Sequence, residues 1–263
     1  MMKGDFTTIS VATDERGVAY LTLDRPEKKN ALSAGMMDEL IEFVRLVEND
    51  RSIRAVVLAG SEKTFCAGGD LGWMMTQIET DRQGRMEEAR RLAFMLKAMN
   101  EMAVPLIGRV EGVAMGGGIG MACICDTAIA AEDCRFGFTE TRLGIIPATI
   151  SPYVLARMGE GKARRVFMSA RLFNGGEAAE LEIVAKAVAA DQMDEAVEAE
   201  VAPYLKLPRE AVGRAKHLAR SLGPRIDEQV IEHTIAQLAD AWETDEAREG
   251  IASFLEKRKP HWA

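Results

Sequence analysis

The stretch 115-MGGGIGMACICD-126 sets three consecutive glycines, Gly116 to Gly118, directly ahead of an apolar run that carries two cysteines. Glycines in that number suit a backbone that must approach a ligand or another chain segment closely. A second loop, 65-FCAGGDL-71, has the same character. Each loop follows a predicted strand and precedes a predicted helix. At such a turn the backbone N–H groups are unpaired, and the helix start carries partial positive charge. Two converging N–H donors can stabilise a developing oxyanion by roughly 3–4 kcal/mol each. Tight helix-on-strand packing is the other use for such glycines, and two matched loops weigh against it as the whole explanation. A dinucleotide fingerprint fails because Met121 stands where the third glycine of G-x-G-x-x-G belongs, and no phosphate-loop G-x-x-x-x-G-K-[ST] occurs.

Working outward, 7-TTISVATDERGVAYLTLDRP-26 reads as a hairpin around the turn DERG. Ser33 can cap a helix over 34–49 whose apolar stripe is Met37, Leu40, Ile41, Val44 and Val47. The run IRAVVLAG fits a buried strand, and a long helix is predicted over 82–101. Pro105 opens another strand ahead of the glycine triplet; DTAIAAED and RFGFTE are short strand candidates. From about 150 the pattern turns mostly helical, interrupted by the short apolar run IVAKAVAA. No Ser- or Pro-rich linker divides the chain, so the helical tail is expected to pack on the α/β core.

Composition narrows the function. The chain has 263 residues and a formal net charge of −8, and an acidic balance argues against a general nucleic-acid binder. A few lysines could still hold an anionic small ligand. No apolar run approaches the ~18–20 residues a membrane span needs. The opening MMKGDFTTIS lacks the apolar segment of a secretory signal, so a cytoplasmic protein without membrane contact is expected. Cys66, Cys123, Cys125 and Cys134 contain no C-x-x-C pair, and His217, His233 and His261 share no ligand spacing. Neither a metal site nor a His-dependent hydrolase is therefore expected.

Four ordered segments, LDRPEKKNALS, FCAGGDL, GVAMGGGIGMACICDTAIAAEDCRFGFTETRLGIIP and REGIASFLEKRKPHW, resemble the crotonase, or enoyl-CoA hydratase/isomerase, superfamily over nearly the whole chain. The resemblance implies an α/β fold, a crotonase-like spiral of ββα units over 1–200, with a C-terminal helical trimerisation region over 201–263. It implies a homotrimer or a dimer of trimers. It also implies an acyl-CoA thioester substrate, with coenzyme A as part of the substrate and no separate cofactor. The oxyanion donors would be the N–H groups of Gly69 and Gly117. Coenzyme A would lie across Lys28, Lys29 and Ala31 and the loop of Cys66, Asp70 and Leu71, with Met115 beside the thioester.

Typical hydratases of this superfamily use two glutamates. The later one matches Glu140, but the earlier position is Gly120, flanked by Ile119, Met121 and Ala122, which cannot move protons. Glu111 reads as a polar loop position. Glu140 is then the single acid–base candidate, and its apolar neighbours Phe136, Phe138, Leu143, Ile145 and Ile146 would favour the neutral carboxyl. Arg142 could pair with an acidic group or simply face solvent, and the second reading is preferred. No Asp stands in Pro147–Ser151 to serve as a dehalogenase-type nucleophile. The segment ETRLGIIPATISPYVLARMGEGKARRVFMSARLF resembles bacterial hydratases of branched glutaconyl thioesters such as 3-methylglutaconyl-CoA, which act in leucine and terpene breakdown. Hydration is the leading expectation and double-bond isomerisation the alternative. A non-catalytic CoA- or RNA-binding member is opposed by the retained Glu140 and both glycine loops.

Overall fold

The computed structural model describes residues 5–263. The expected hairpin is formed by strands β1 (Ile9–Thr13) and β2 (Val18–Leu23), paired antiparallel. Helix α1 (Ala34–Asn49) starts where expected, with the Ser33 hydroxyl accepting from Met36 N–H at 3.2 Å. Its buried stripe is Met36, Met37, Leu40, Phe43, Val44 and Val47, so the stripe is rotated from the expected one and leaves Ile41 38% exposed. Strand β3 (Ala55–Gly60) follows, and its first four residues are all buried, as suits a strand of a parallel sheet with both faces covered. One helix had not been expected: α2 (Leu71–Glu79), capped by Asp70. Then come α3 (Arg82–Glu101), β4 (Leu106–Val110), β5 (Val113–Met115) and α4 (Gly117–Cys123).

Strands β6 (Thr127–Ala131) and β7 (Arg135–Gly137) precede α5 (Ser151–Phe167), β8 (Leu172–Phe173), α6 (Gly175–Glu180) and β9 (Lys186–Val188). The strands make two sheets. One runs β1-β2-β3-β4-β6-β9, parallel from β2 onward; the other runs β5-β7-β8. Splitting the strands this way sends β4 and β5, which are neighbours in sequence, into different sheets.

The tail is helical: α7 (Met193–Val201), α8 (Arg209–Leu222), α9 (Glu228–Trp242) and α10 (Asp245–Leu255). Ile231 and Ile235 of α9 pack on Ala89 and Ala93 of α3, while Ala247 and Ile251 of α10 enclose Ile145. Arg90 and Glu232 add a two-pronged ion pair, at 2.5 and 2.6 Å, between α3 and α9. Among the described residues no helix is long and apolar enough to cross a membrane, and no cluster of His, Cys, Asp or Glu could hold a metal ion. The expectation about a leader segment falls partly on residues 1–4, outside the described residues.

Candidate active site

Backbone pairing gathers three loops at one point. Cys66 N–H donates to Val113 O at 2.9 Å, and Met115 N–H donates to Cys66 O at 3.0 Å. Leu32 N–H donates to Gly68 O at 2.8 Å, and Asp70 N–H to Leu32 O at 2.9 Å. The two glycine loops are thereby held side by side, so close that a Cβ on Gly117 would lie 3.8 Å from the Gly68 carbonyl carbon. Neither Gly69 N–H nor Gly117 N–H has a protein acceptor among the described residues. Both glycines line an outer cavity of about 780 Å³ and a smaller inner one of about 120 Å³, so they stand where the two meet.

Glu140 stands at the same junction. It opens a 3-10 turn, Glu140–Leu143, that follows β7. Gly116 N–H donates to Gly137 O at 3.0 Å, which ties the triplet loop to the end of that strand. Gly116 has φ +46°, and a Cβ there would meet Glu140 Oε1 at 2.7 Å. Only glycine satisfies both conditions. Glu140 lines both cavities, and its Oε2 is shut off from solvent and accepts no hydrogen bond among the described residues. Burial raises its pKa from 4.5 to about 7, opposed only by its own backbone N–H. A carboxyl poised near neutrality can both take and return a proton.

The position of the missing carboxylate is filled by hydrocarbon. Gly120 is fully buried inside α4, and a Cβ on it would lie 2.5 Å from Ile150 Cγ2. Ile150 lines the inner cavity and Gly120 does not. A side chain at 120 would therefore collide with Ile150 before reaching the cavity.

Lys28, Lys29, Ala31, Asp70, Leu71 and Met115 all line the outer cavity. Both lysines are exposed. Asp70 has other duties: it accepts from Trp73 N–H at 3.1 Å as the cap of α2 and pairs with Arg25 at 2.9 Å. Burial alone would raise its carboxyl, but Trp73 N–H and Arg25 together hold it below its ordinary value. Cys66 lines neither cavity. Its thiol is fully buried and pushed up to about 12 by burial, and its main-chain N–H and C=O are taken up in the loop pairing described above. Glu111 is buried and pairs with Arg109 at 2.5 Å, away from the cavities. Arg142 does not face bulk solvent alone: it lines the outer cavity and donates to Ala170 O at 2.6 Å.

Sequence reading missed two groups. Asn30 is buried at φ +55° and binds Arg25 N–H at 2.8 Å and Thr64 O at 2.5 Å, which shapes the lysine loop. Asn in an N-A-L-S context was a readable turn signal. The second group lines the inner cavity: Trp73, Gln77, Arg85, Thr149 and Trp242. They come from α2, α3, α9 and the loop before α5, and nothing local in the sequence brings them together.

The site can be set beside known proteins. The family model described as enoyl-CoA hydratase/isomerase matches residues 13–263. A Rhizobium meliloti protein named "probable enoyl-CoA hydratase" is 34% identical, the match covering 97% of each chain. Among solved structures, an enoyl-CoA hydratase from Shewanella pealeana is 33% identical with a TM-score of 0.80, covering 98% of this chain and 97% of that one. Pseudomonas aeruginosa AtuE is 36% identical with a TM-score of 0.78, covering 98% and 100%. These likenesses extend from the hairpin to the last helix and include the mixed sheets and helical tail. The chain, with the α/β crotonase fold, belongs to the enoyl-CoA hydratase/isomerase family.

Proposed function

We propose that the protein hydrates a 2,3-enoyl-CoA thioester, with Glu140 as its single acid–base side chain. The observation that carries this reading is the buried, partnerless Oε2 of Glu140 at the same cavity junction as two acceptor-free N–H groups. The thioester oxygen lies between Gly69 N–H and Gly117 N–H, which bind it more strongly as it becomes the enolate oxygen. Ionised Glu140 takes a proton from water as its oxygen attacks C3. The neutral carboxyl then returns that proton to C2, so one water is added and Glu140 is regenerated. Coenzyme A belongs to the substrate, and its body occupies the outer cavity near Lys28, Lys29, Ala31, Asp70, Leu71 and Met115. Cys66 supports this surface from beneath.

The acyl group is of the branched glutaconyl type, a reading supported by the segment after Glu140 and by Ile150 standing at the place of the first glutamate. That substrate would put the protein in leucine or terpene breakdown. The lone carboxyl also favours a second reaction, isomerisation of a 3-enoyl thioester, because moving a double bond needs only one shuttling base. We further propose a homotrimer or dimer of trimers through the tail from 201 to 263. In support, α8 buries no residue within its own chain and leaves Leu218 and Leu222 60% and 80% exposed. A monomer mass in sedimentation velocity would remove this assembly.

The decisive experiment follows the conjugated enoyl absorbance with crotonyl-CoA, 3-methylglutaconyl-CoA and a 3-enoyl-CoA. Its loss from the first two reads hydration, and its appearance from the third reads isomerisation. Glu140→Gln is expected to lower kcat about 10²–10⁴-fold. Turnover that survives this change would rule out the single-carboxyl mechanism.

A further inference from the structure

The inner cavity has apolar walls but carries a cation. Arg85 precedes Ala89 by one turn of α3 and Leu92 by two, so the three share the face that lines the cavity. Arg85 Nε donates to Gln77 O at 2.8 Å, Nη2 reaches Ile78 O at 3.4 Å, and Nη1 has no partner among the described residues. The guanidinium lies over the Trp242 ring, 5.7 Å from its centroid. Two carbonyls and an aromatic face thus fix its position without supplying an anion. Glu140 is not its counter-ion, since no cation contributes to the environment of that carboxyl. Thr149, 6% exposed, also lines the cavity, and its hydroxyl has no hydrogen-bond partner among the described residues.

Direction along the cavity follows from α2. A Cβ on Gly69 would lie 3.6 Å from the Trp73 ring, so that ring stands beside the oxyanion donors. Gln77 is one turn farther, roughly 6 Å along the helix axis, and Arg85 is bonded to its carbonyl. An acyl chain held by its thioester oxygen at Gly69 and Gly117 would run past Trp73 toward the guanidinium. Arg85 is half-buried at this wall, and its guanidinium, fixed in place with no anion bonded to it among the described residues, presents a planar fork that matches a carboxylate.

We infer that Arg85 is a specificity residue that binds a carboxylate at the far end of the acyl chain, with the Thr149 hydroxyl as a second donor. The inference rests on the glutaconyl-type thioester reading above, whose acyl group ends in a carboxylate, and deepens it by naming the residues that read that carboxylate.

The test separates the two. Titration calorimetry with the saturated thioesters adipyl-CoA and hexanoyl-CoA measures binding without any reaction. The wild type is expected to bind adipyl-CoA about tenfold or more tightly than hexanoyl-CoA. Arg85→Met should bring that ratio near one, and Arg85→Lys should keep part of it. Thr149→Val, which leaves the end of α2 untouched, should lower the ratio severalfold. The same ratios are read in kcat/KM for hydration of 2-hexenedioyl-CoA against 2-hexenoyl-CoA. A wild-type ratio near one, or a ratio that Arg85→Met leaves unchanged, overturns the inference. Loss of hydration with the binding preference intact would instead overturn the hydratase reading and leave Arg85 its role.

Discussion

At the scale of the residue, the environment of Glu140 fixes both its chemistry and its cost. Burial gives the carboxyl a folded-state pKa of about 7 against 4.5 in the unfolded chain. Between these values the native state holds a proton that the unfolded state has released, so stability falls as pH rises. Above about 7 the full penalty applies, about 3 kcal/mol at 1.36 kcal/mol per pKa unit. Below 4.5 both states are protonated and the penalty vanishes. Glu140→Gln removes it, so the wild type should lose more urea stability than the variant between pH 5 and pH 8. Parallel curves would mean that the carboxyl is not held neutral by the fold. Catalysis has the opposite sign: kcat/KM for hydration should rise with pH through about 7, because the base must be ionised to take a proton from water. The position of Glu140 was legible in its sequence segment, as was its apolar setting. Its contact with Gly116, which binds the triplet loop to the acid, was not, because the two residues meet only through pairing of β5 with β7.

At the scale of the element, α4 and α2 show what local sequence does and does not carry. The glycine triplet, the hairpin, the Ser33 cap and the helix over 82–101 were legible, because turn chemistry and apolar periodicity are written in neighbouring residues. Helix α2 was missed although Asp70 stands as a readable cap, because its nine residues carry little alternation between polar and apolar faces. Ile150 against Gly120 could not be read at all, being a contact between α4 and the loop before α5. It yields a test. Alanine is favoured over glycine inside a helix by about 1 kcal/mol. A Cβ 2.5 Å from Ile150 Cγ2 instead incurs the ~1–3 kcal/mol of an overpacked core. Overpacking should win, so Gly120→Ala is expected to destabilise. In an Ile150→Ala background the same change should cost little or even stabilise. The difference is a coupling energy measured by denaturation of the four proteins, and additive effects would show that Ile150 is not what excludes a side chain. The same contact makes Gly120→Glu alone a poor way to restore a second acid.

At the scale of the whole molecule, the C-terminal helices reach back over the site. Trp242 of α9 lines the inner cavity and Phe254 of α10 lines the outer one. Helix α10 also bears on the turn that carries Glu140. A Cβ on Gly250 would lie 2.5 Å from the Leu143 carbonyl carbon and 2.6 Å from its oxygen. At the end of the same turn, Gly144 is packed equally close to Glu246, which also belongs to α10. These are backbone atoms, which cannot swing aside as a side-chain tip can. Gly250→Ala must therefore lift α10 or shift Glu140–Leu143, and the carboxyl rides on whichever moves. The lysine loop is held by Asn30 from elsewhere in the fold and should be little affected. The expected result is a kcat about tenfold lower, with KM for the thioester changed far less. The melting temperature should fall by a few degrees, at about 2–4 °C per kcal/mol for a chain of this size. A lower melting temperature with kcat intact would make α10 a roof that stabilises the core without positioning the acid. A matched loss in kcat and KM would place its effect on the coenzyme A surface through Phe254. Only a selective fall in kcat ties the tail to the proton-transfer geometry.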